Sequence, residues 1–573
     1  MHLGYPFGRF PGVRPAKRKV RFPPASAVPN VATWWGAVGL LSEALIRLRT
    51  LLQRHCPKCT SQVAHLCRGG NRVKIKVVIG AALTAFCLCA AADPVDFGAA
   101  LRASYPSLVY VERYRAAYPA DVDGSDDAWT GKAAPPSSAT AADVTRLLTG
   151  LADQHVALTG PNAGKSETLG VLFRTSTDGH MIAWHVVDPR ISALETGEEI
   201  VAVDGTSTAT WLVRTSRLTF GGNARSRQAE AALNLGLGTP AAHEVAGLSR
   251  AVTLAVRDQK GSLRQVRLSY QPMTAALAAA VAHSVDLPDL PEVMRVGRYR
   301  VGTIRIGAFA PQYDPIFTSA ADAAAEKTDD PDGPMLAGFC AVARRMIVRF
   351  DTIARRSDLM VVDLRGNMGG FGREVGAFTW ALTGHPPVRT YDVVASGTPG
   401  RVRLQSEPVD PSCGSVTAHK PLFVLVDAGT RSGGELLATH LWAAGATVLG
   451  ERTVGAGGGR DSVSTGIAVG TTRYKALVSE NFYVFDPKSE LRPGDVDEVQ
   501  FVERVAADRF APSHRRPYTT QAVGVLPDVA LTIGTGDLRD GGRDLLSRGI
   551  VGSLAIALSR NCHSEMKNRA SSC

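Results

Sequence analysis

Acidic side chains are almost absent from the first 92 of the 573 residues. This stretch holds 14 lysines and arginines but one acidic residue, Glu43, whereas the rest of the chain carries 50 basic and 52 acidic residues. The net charge of +11 therefore comes from the first 92 residues. A nearly neutral body argues against a protein that binds nucleic acid through a basic surface, so we expect no nucleic-acid partner.

Apolar runs long enough to span a membrane are also lacking. Residues 73–92, VKIKVVIGAALTAFCLCAAA, begin with lysines, continue with an apolar run and place Ala90 and Ala92 at the A-x-A positions before Asp93. The run has about 15 residues, fewer than the roughly 20 of a transmembrane helix. We predict an export signal over 73–92, with an uncleaved membrane anchor as the alternative, and a non-native or disordered leader over 1–72.

Cysteine is scarce in the exported part, because five of the nine cysteines precede Asp93. Cys56 and Cys59 have the separation of metal ligands, but the neighbouring histidines and cysteine are too close and irregular for the usual second pair, so we predict no metal site. One or two disulfides are possible among the remaining four cysteines, and the sequence does not choose the pairing. These are Cys340, Cys413, Cys562 and Cys573.

A complete nucleotide-binding loop is missing as well. The segment GPNAGKS, from Gly160 to Ser166, is one residue shorter than the phosphate-binding pattern, and no long apolar strand precedes it. Asp363, at the end of the apolar run LMVVD, could imitate the magnesium ligand of such a site. We therefore do not predict nucleotide hydrolysis, and we expect no cofactor.

A strand followed by a small-residue turn and a helix is indicated for residues 421–441, PLFVLVDAGTRSGGELLATHL. Ser432 lies in the turn, where free backbone amides and the helix dipole favour developing negative charge. This is a suitable place for the nucleophile of an acyl-transfer enzyme. The alternative is that Ser432 only caps the helix, with Glu435 completing a capping box.

The same order of elements occurs in SDLMVVDLRGNMGGFGREVGAFTWALTG, where an apolar strand at Leu359–Val362 enters a turn containing Gly366, Gly369 and Gly370. Apolar strands without alternation belong to a sheet that is covered on both faces. Glycines let backbone amides approach a ligand. The repetition predicts an α/β domain.

Six short segments together resemble the tricorn and C-terminal processing peptidase family of serine peptidases. In chain order they are LADQHVAL, LETGEEIVAVDG, DLRGNMGG, TRSGGE, VLGERTVGAGGG and VGVLPDV, which span roughly residues 140 to 535. The resemblance implies a crotonase-like α/β core with an inserted, β-rich PDZ-like domain and Ser432 as the nucleophile. On the residues alone, the β-rich stretch could also be an ordinary β domain.

The resemblance and the composition together predict six regions. They are the leader (1–72), the signal peptide (73–92), an N-terminal helical region carrying His155 (93–165), the PDZ-like domain (166–290), the crotonase-like core (291–540) and a C-terminal helix and tail (541–573).

Two catalytic arrangements occur in this family, and Ala456 stands where the serine–lysine branch has its lysine. The chain is therefore more similar to the tricorn-like branch, whose histidine base lies in a D-x-H block. Asp153-Gln154-His155 fits that block. The resemblance implies that His155 is the general base, and that the amides of Gly433 and Gly369 bind the oxyanion.

Gln521 stands where the tricorn-like branch has the glutamate that orients its histidine. The alternatives are that Gln521 holds the imidazole as a neutral amide, that Glu490 or Glu480 replaces it, or that the alignment slips. We predict an exported serine endopeptidase, periplasmic or extracellular, that cleaves peptides or unfolded proteins. The alternative is a catalytically weak or inactive protein that binds peptides in the PDZ-like groove.

Overall fold

A computed structural model describes most of the chain after residue 96. The described residues are 97–117, 137–161, 163, 166–284, 290–311, 314–326, 332–459, 466–506 and 516–553, and they belong to one compact unit. The leader, the export signal, the Cys56 and Cys59 pair, and Cys562 and Cys573 lie outside the described residues.

The helices and strands follow one another in three sections of the chain. The first contains α1 (Phe97–Ser104), α2 (Leu108–Ala117), α3 (Ala141–Thr149) and β1 (Ala157–Thr159). The second contains β2 (Glu167–Thr168), β3 (Val171–Thr175), β4 (Met181–Val186), β5 (Glu199–Val203), β6 (Thr206–Ser207), α4 (Thr208–Ser216), α5 (Ala224–Gly236), β7 (Leu237–Gly238), α6 (Pro240–Val245), β8 (Ala251–Arg257), β9 (Leu263–Ser269), β10 (Gln271–Pro272) and α7 (Ala275–Ser284). The third contains β11 (Val293–Val296), β12 (Tyr299–Arg305), α8 (Pro315–Ala325), α9 (Gly333–Ala354), β13 (Leu359–Asp363), α10 (Gly372–Thr383), β14 (Thr390–Ala395), β15 (Arg401–Ser406), β16 (Leu422–Val426), α11 (Gly433–Ala443), β17 (Thr447–Gly450), β18 (Gly458–Gly459), β19 (Ile467–Ala468), β20 (Lys475–Leu477), β21 (Asn481–Phe485), β22 (Gly494–Asp497), α12 (Glu498–Ala506), β23 (Val529–Ala530) and α13 (Thr535–Arg539).

The two predicted apolar strands, β13 and β16, lie side by side in a six-stranded sheet of order β11-β12-β13-β16-β17-β23. All neighbours in this central sheet are parallel except β11, which is antiparallel to β12. Along β13, Met360 and Val362 pack on the face covered by α9, α10 and α11, whereas Leu359 and Val361 pack against the final helix, residues 543–553. Because both faces are covered, the strand is apolar without alternation.

Two larger antiparallel sheets accompany the central sheet. Residues 171–269, which we call the antiparallel domain, form a sheet of order β3-β4-β5-β8-β9 around Phe173 and Trp211, against which α4 and α5 pack. A second sheet has the order β18-β21-β14-β15-β22, and α2 and α12 cover it. Helices α1 and α3 pack against the loops and strand around Val469 and Tyr474, which brings the segment after α3 to the central unit.

None of the helices within the described ranges is both long enough and apolar enough to cross a membrane.

Asp363 does not resemble a magnesium ligand in this fold. Its carboxylate accepts from Arg365 Nε and Nη2 at 2.9 and 2.8 Å and from Arg305 Nη1 at 3.1 Å. Burial alone would raise the pKa of Asp363, but the two guanidinium groups hold it well below its usual range. The carboxylate therefore belongs to a buried ion-pair cluster at the glycine-rich turn. It is paired with two arginines instead of being placed as a magnesium ligand.

Of the disulfides left open by the sequence, the structure forms one between Cys340 in α9 and Cys413 in the loop before β16. The two cysteines are 73 residues apart in sequence. Closing a loop of this length restricts the unfolded chain and therefore stabilises the folded one.

Replacing both cysteines, as Cys340→Ser with Cys413→Ser, is expected to lower the free energy of unfolding by about 3 to 4 kcal/mol. Urea denaturation of the oxidised protein measures this value. Reduction should bring the wild type to the midpoint of the double variant and leave the variant unchanged. Equal midpoints for the oxidised wild type and the variant would contradict the expectation.

Candidate active site

Ser432 lies between the end of β16 and the first residue of α11, as the sequence predicts. Its backbone has φ +49° and ψ −119°, a conformation that costs a residue with a side chain about 1–3 kcal/mol. Gly369 makes room for it: a Cβ atom at Gly369 would lie 2.6 Å from Ser432 Cβ. The strained turn directs the Ser432 hydroxyl away from helix capping and towards His155, with Oγ 3.1 Å from Nε2.

Glu435 holds this turn in place from within the protein. Its carboxylate accepts the backbone N–H of Ser432 at 3.1 Å, those of Gly455 and Ala456 at 2.7 Å each, and the hydroxyl of Thr453 at 2.5 Å. Burial raises the pKa of Glu435 to about 7, against the opposing effect of these donors. Glu435 therefore does more than complete a capping box, because it ties the serine to the glycine-rich segment after β17.

His155 reaches Ser432 from a position 277 residues earlier in the chain. The ring follows a tight turn after α3 and is 8% exposed. Its Nδ1 lies 3.4 Å from Asp153 Oδ1, and its backbone N–H donates to the same oxygen at 2.8 Å. The structure thus brings together the two residues that the sequence selected as nucleophile and base, and it adds a carboxylate behind the base.

Asp153 is fully buried and is held by two further groups. Its Oδ2 accepts the hydroxyls of Tyr105 at 2.9 Å and Ser479 at 2.7 Å. Burial opposes ionisation, but contacts with His155 and Ser479 outweigh it and lower the pKa of Asp153 to about 2. No pattern in the sequence assigns a role to Tyr105 or Ser479. The only signal for Asp153 was its place in the D-x-H block.

Gln521, the residue that the resemblance implies as the orienting group, makes no hydrogen bond to His155 in this structure. The residue is fully buried, and its side-chain amide lies within hydrogen-bonding reach of the Tyr105 hydroxyl, which itself donates to Asp153. Of the two glutamates considered as replacements, Glu490 pairs with Arg504 at the surface at 3.2 Å, and the amide of Glu480 donates to the backbone of Gly459.

The glycine-rich turn after β13 lies beside Ser432, but the Gly369 amide is already engaged. Gly369 N–H donates to Asn367 Oδ1 at 2.8 Å. Both glycines adjoin the helix start: a Cβ atom on Gly369 would lie 3.1 Å from Gly433 N, and one on Gly433 would lie 3.2 Å from Gly370 N. As the first residue of α11, Gly433 has no acceptor for its amide within the helix. Gly369 would have to give up its bond to Asn367 to act as an oxyanion donor, and the adjacent amide of Gly370 is the alternative.

A cavity opens beside this turn, between β3 and α5 of the antiparallel domain and the central sheet. Its lining includes Gln154, Met368 and Arg431, the residues that immediately precede His155, Gly369 and Ser432, together with apolar side chains of β3 and α5 such as Phe173 and Leu233. The cavity therefore lies next to the serine, along the edge of the antiparallel domain.

The antiparallel domain is fastened to the segment that supports Glu435. Asn223, at the start of α5, donates to the carbonyl oxygens of Thr453 at 2.7 Å and Val454 at 3.3 Å. Arg225 forms an ion pair with Glu451 at 2.8 Å. These contacts connect the wall of the cavity with the segment after β17, to which Glu435 ties Ser432.

A serine and a histidine in hydrogen-bond distance, at the carboxyl edge of a mixed α/β sheet, define a serine hydrolase type of site. Residues 341–481 match the model of peptidase family S41. This match, which includes Ser432, indicates a serine peptidase, a hydrolase. No curated protein matches the sequence.

Solved structures with a similar fold include two of CPAF. Mature CPAF complexed with lactacystin has 17% sequence identity and a TM-score of 0.51, with 81% of this chain and 97% of that chain covered. Mature CPAF has 17% identity and a TM-score of 0.50, with 79% and 94% covered. The photosystem II D1 C-terminal processing protease has 17% identity and a TM-score of 0.32, with 77% and 97% covered. The two CPAF structures support the same overall fold for this chain.

The strained backbone of Ser432 leads to a stability difference between two variants that both lack the hydroxyl. Ser432→Gly is expected to be more stable than Ser432→Ala by about 1 kcal/mol, because only glycine adopts a positive φ without steric cost. Urea denaturation of the two variants measures the difference. An alanine variant as stable as the glycine variant would show that the turn relaxes and that the strain is not intrinsic to the fold.

Proposed function

We propose that this protein is an exported serine endopeptidase of the tricorn-like branch, which hydrolyses peptides or unfolded proteins through an acyl-enzyme on Ser432. The observation that carries the proposal is the 3.1 Å distance between Ser432 Oγ and His155 Nε2. Ala456, where the other branch has its lysine, is 1% exposed, and its amide donates to Glu435. A histidine base therefore fits this site better than a lysine base.

In the first half of the reaction, His155 Nε2 takes the proton of the Ser432 hydroxyl while Oγ attacks the carbonyl carbon of the substrate. The tetrahedral oxyanion accepts hydrogen bonds from the amides of Gly433 and Gly370, at the positive end of the α11 dipole. The C–N bond then breaks, and His155 delivers its proton to the leaving amine.

In the second half, water replaces the amine. His155 accepts a proton from the water, whose oxygen attacks the ester carbon, and the proton returns to Ser432 Oγ as the acid is released. The cycle needs no group beyond the side chains and amides of the site. The catalytic residues regain their starting protonation states.

The antiparallel domain supplies the substrate groove in this proposal. Its six-stranded sheet and the cleft between β3 and α5 agree with a PDZ-like domain inserted before a crotonase-like core. An extended peptide added along β3 would use its backbone for affinity and the adjoining cavity for side-chain selection. The cavity then leads the chain to Ser432.

Two observations support export to the periplasm or the extracellular space. Residues 73–92 have the pattern of an export signal. The disulfide between Cys340 and Cys413 is of a kind that persists in oxidising compartments.

Hydrolysis of β-casein, a largely unfolded protein, tests the proposed activity of the purified full chain. Both Ser432→Ala and His155→Ala are expected to lower the initial rate at least about 1,000-fold, because each removes a member of the proton-transfer pair. Ser406→Ala and His385→Ala, at exposed positions, serve as matched controls and should keep the wild-type rate.

Cleavage by Ser432→Ala at the wild-type rate would overturn the proposal. Binding of β-casein with equal affinity by the wild type and Ser432→Ala, without cleavage by either, would replace it with the peptide-binding alternative.

A further inference from the structure

The carboxylate nearest to the ring of His155 comes from the same tight turn. Asp153 Oδ1 lies 3.4 Å from His155 Nδ1, on the side of the ring opposite to Ser432. Hydrogen bonds of catalytic groups are often long without substrate and shorten when the reaction begins. The backbone bond from His155 N–H to the same oxygen, at 2.8 Å, fixes the carboxylate relative to the ring.

The other oxygen of Asp153 is oriented from two distant parts of the chain. Tyr105, between α1 and α2, and Ser479, between β20 and β21, donate their hydroxyls to Oδ2 at 2.9 and 2.7 Å. Two donors on Oδ2 leave Oδ1 directed at the histidine. Asp153 is fully buried, and each of its contacts is with a hydrogen-bond donor. It is therefore an anion whose position is fixed before the substrate binds.

Gln521 has none of these properties. Its amide carries no charge and makes no hydrogen bond to His155. Its polar neighbour is Tyr105, whose hydroxyl donates to Asp153 at 2.9 Å. A glutamine placed there neither turns the imidazole nor stabilises its protonated form.

We propose that Asp153, and not Gln521, orients His155 and stabilises the imidazolium that forms when Ser432 loses its proton, and that Tyr105 and Ser479 hold Asp153 for this task. This inference rests on the proposed function. It makes Asp153 a positioning residue that acts through His155.

The role of Asp153 adds no proton transfer to the proposed reaction. The proton of Ser432 Oγ moves to His155 Nε2, the ring keeps its proton on Nδ1, and the positive charge develops next to Asp153. Asp153 remains ionised throughout. A purely structural Asp153 would instead serve only to accept the backbone N–H of His155.

The Asp153→Asn variant separates the two roles, because the amide oxygen can still accept the backbone N–H of His155 while the charge is lost. We expect kcat for β-casein to fall by about 100- to 10,000-fold with KM within threefold. The acid limb of the kcat profile should move to lower pH, since the imidazolium loses its neighbouring anion. Gln521→Met, similar in shape to glutamine but without its amide, is expected to lose no more than about threefold in kcat.

A second variant keeps the test decisive if Asp153→Asn fails to fold. Tyr105→Phe with Ser479→Ala leaves the charge but removes its two hydroxyl donors, which makes the carboxylate a stronger base. The acid limb should therefore move to higher pH, opposite to the shift for Asp153→Asn, with a loss in kcat of about tenfold. A merely structural Asp153 gives no shift in either variant.

Unchanged pH profiles in both variants, or a loss in Gln521→Met as large as that in Asp153→Asn, would overturn the inference. Failure of the proposed function has a different signature. In that case the wild type does not cleave β-casein, or Ser432→Ala and His155→Ala cleave it as the wild type does.

Discussion

The candidate active site depends on one buried carboxylate, that of Glu435. Ser432 keeps a backbone conformation with φ +49° because Glu435 holds its N–H from the first turn of α11. The same carboxylate binds two amides and a hydroxyl of the segment after β17, so the nucleophile and that segment cannot move independently. Asn223 extends the connection to the antiparallel domain through Thr453. Strain at the serine is thus balanced by buried hydrogen bonds rather than by packing alone.

The arrangement of the site could largely be predicted from the sequence. Apolar strands without alternation indicated a covered parallel sheet, and the loops that leave the carboxyl ends of parallel neighbours meet at one edge. That rule brings the turn of Gly369 next to Ser432. The contact between His155 and Ser432 could not be predicted from local patterns, because the two residues are 277 positions apart in the sequence. The resemblance to a peptidase family supplied that pairing.

The sequence could not predict which polar groups are already occupied. The position of Gly369 in the sequence predicts an oxyanion donor, yet its N–H donates to the side chain of Asn367, two residues away. Gln521 matched a glutamate by alignment, but the carboxylate beside the histidine ring is that of Asp153, and Tyr105 interacts with both Asp153 and Gln521. Likewise, four cysteines allow several pairings, and only folding brings Cys340 next to Cys413. Such details depend on side-chain directions in three dimensions, which spacing along the chain does not record.

The central claim is that His155 activates Ser432, and reaction with a fluorophosphonate probe measures this most directly. We predict a covalent adduct that peptide mass spectrometry locates on Ser432, formed at least about 100-fold more slowly in His155→Ala. The absence of an adduct between about pH 6 and 9, a window that brackets the usual titration of histidine, would contradict the account. So would an adduct on another serine or a rate that is independent of His155.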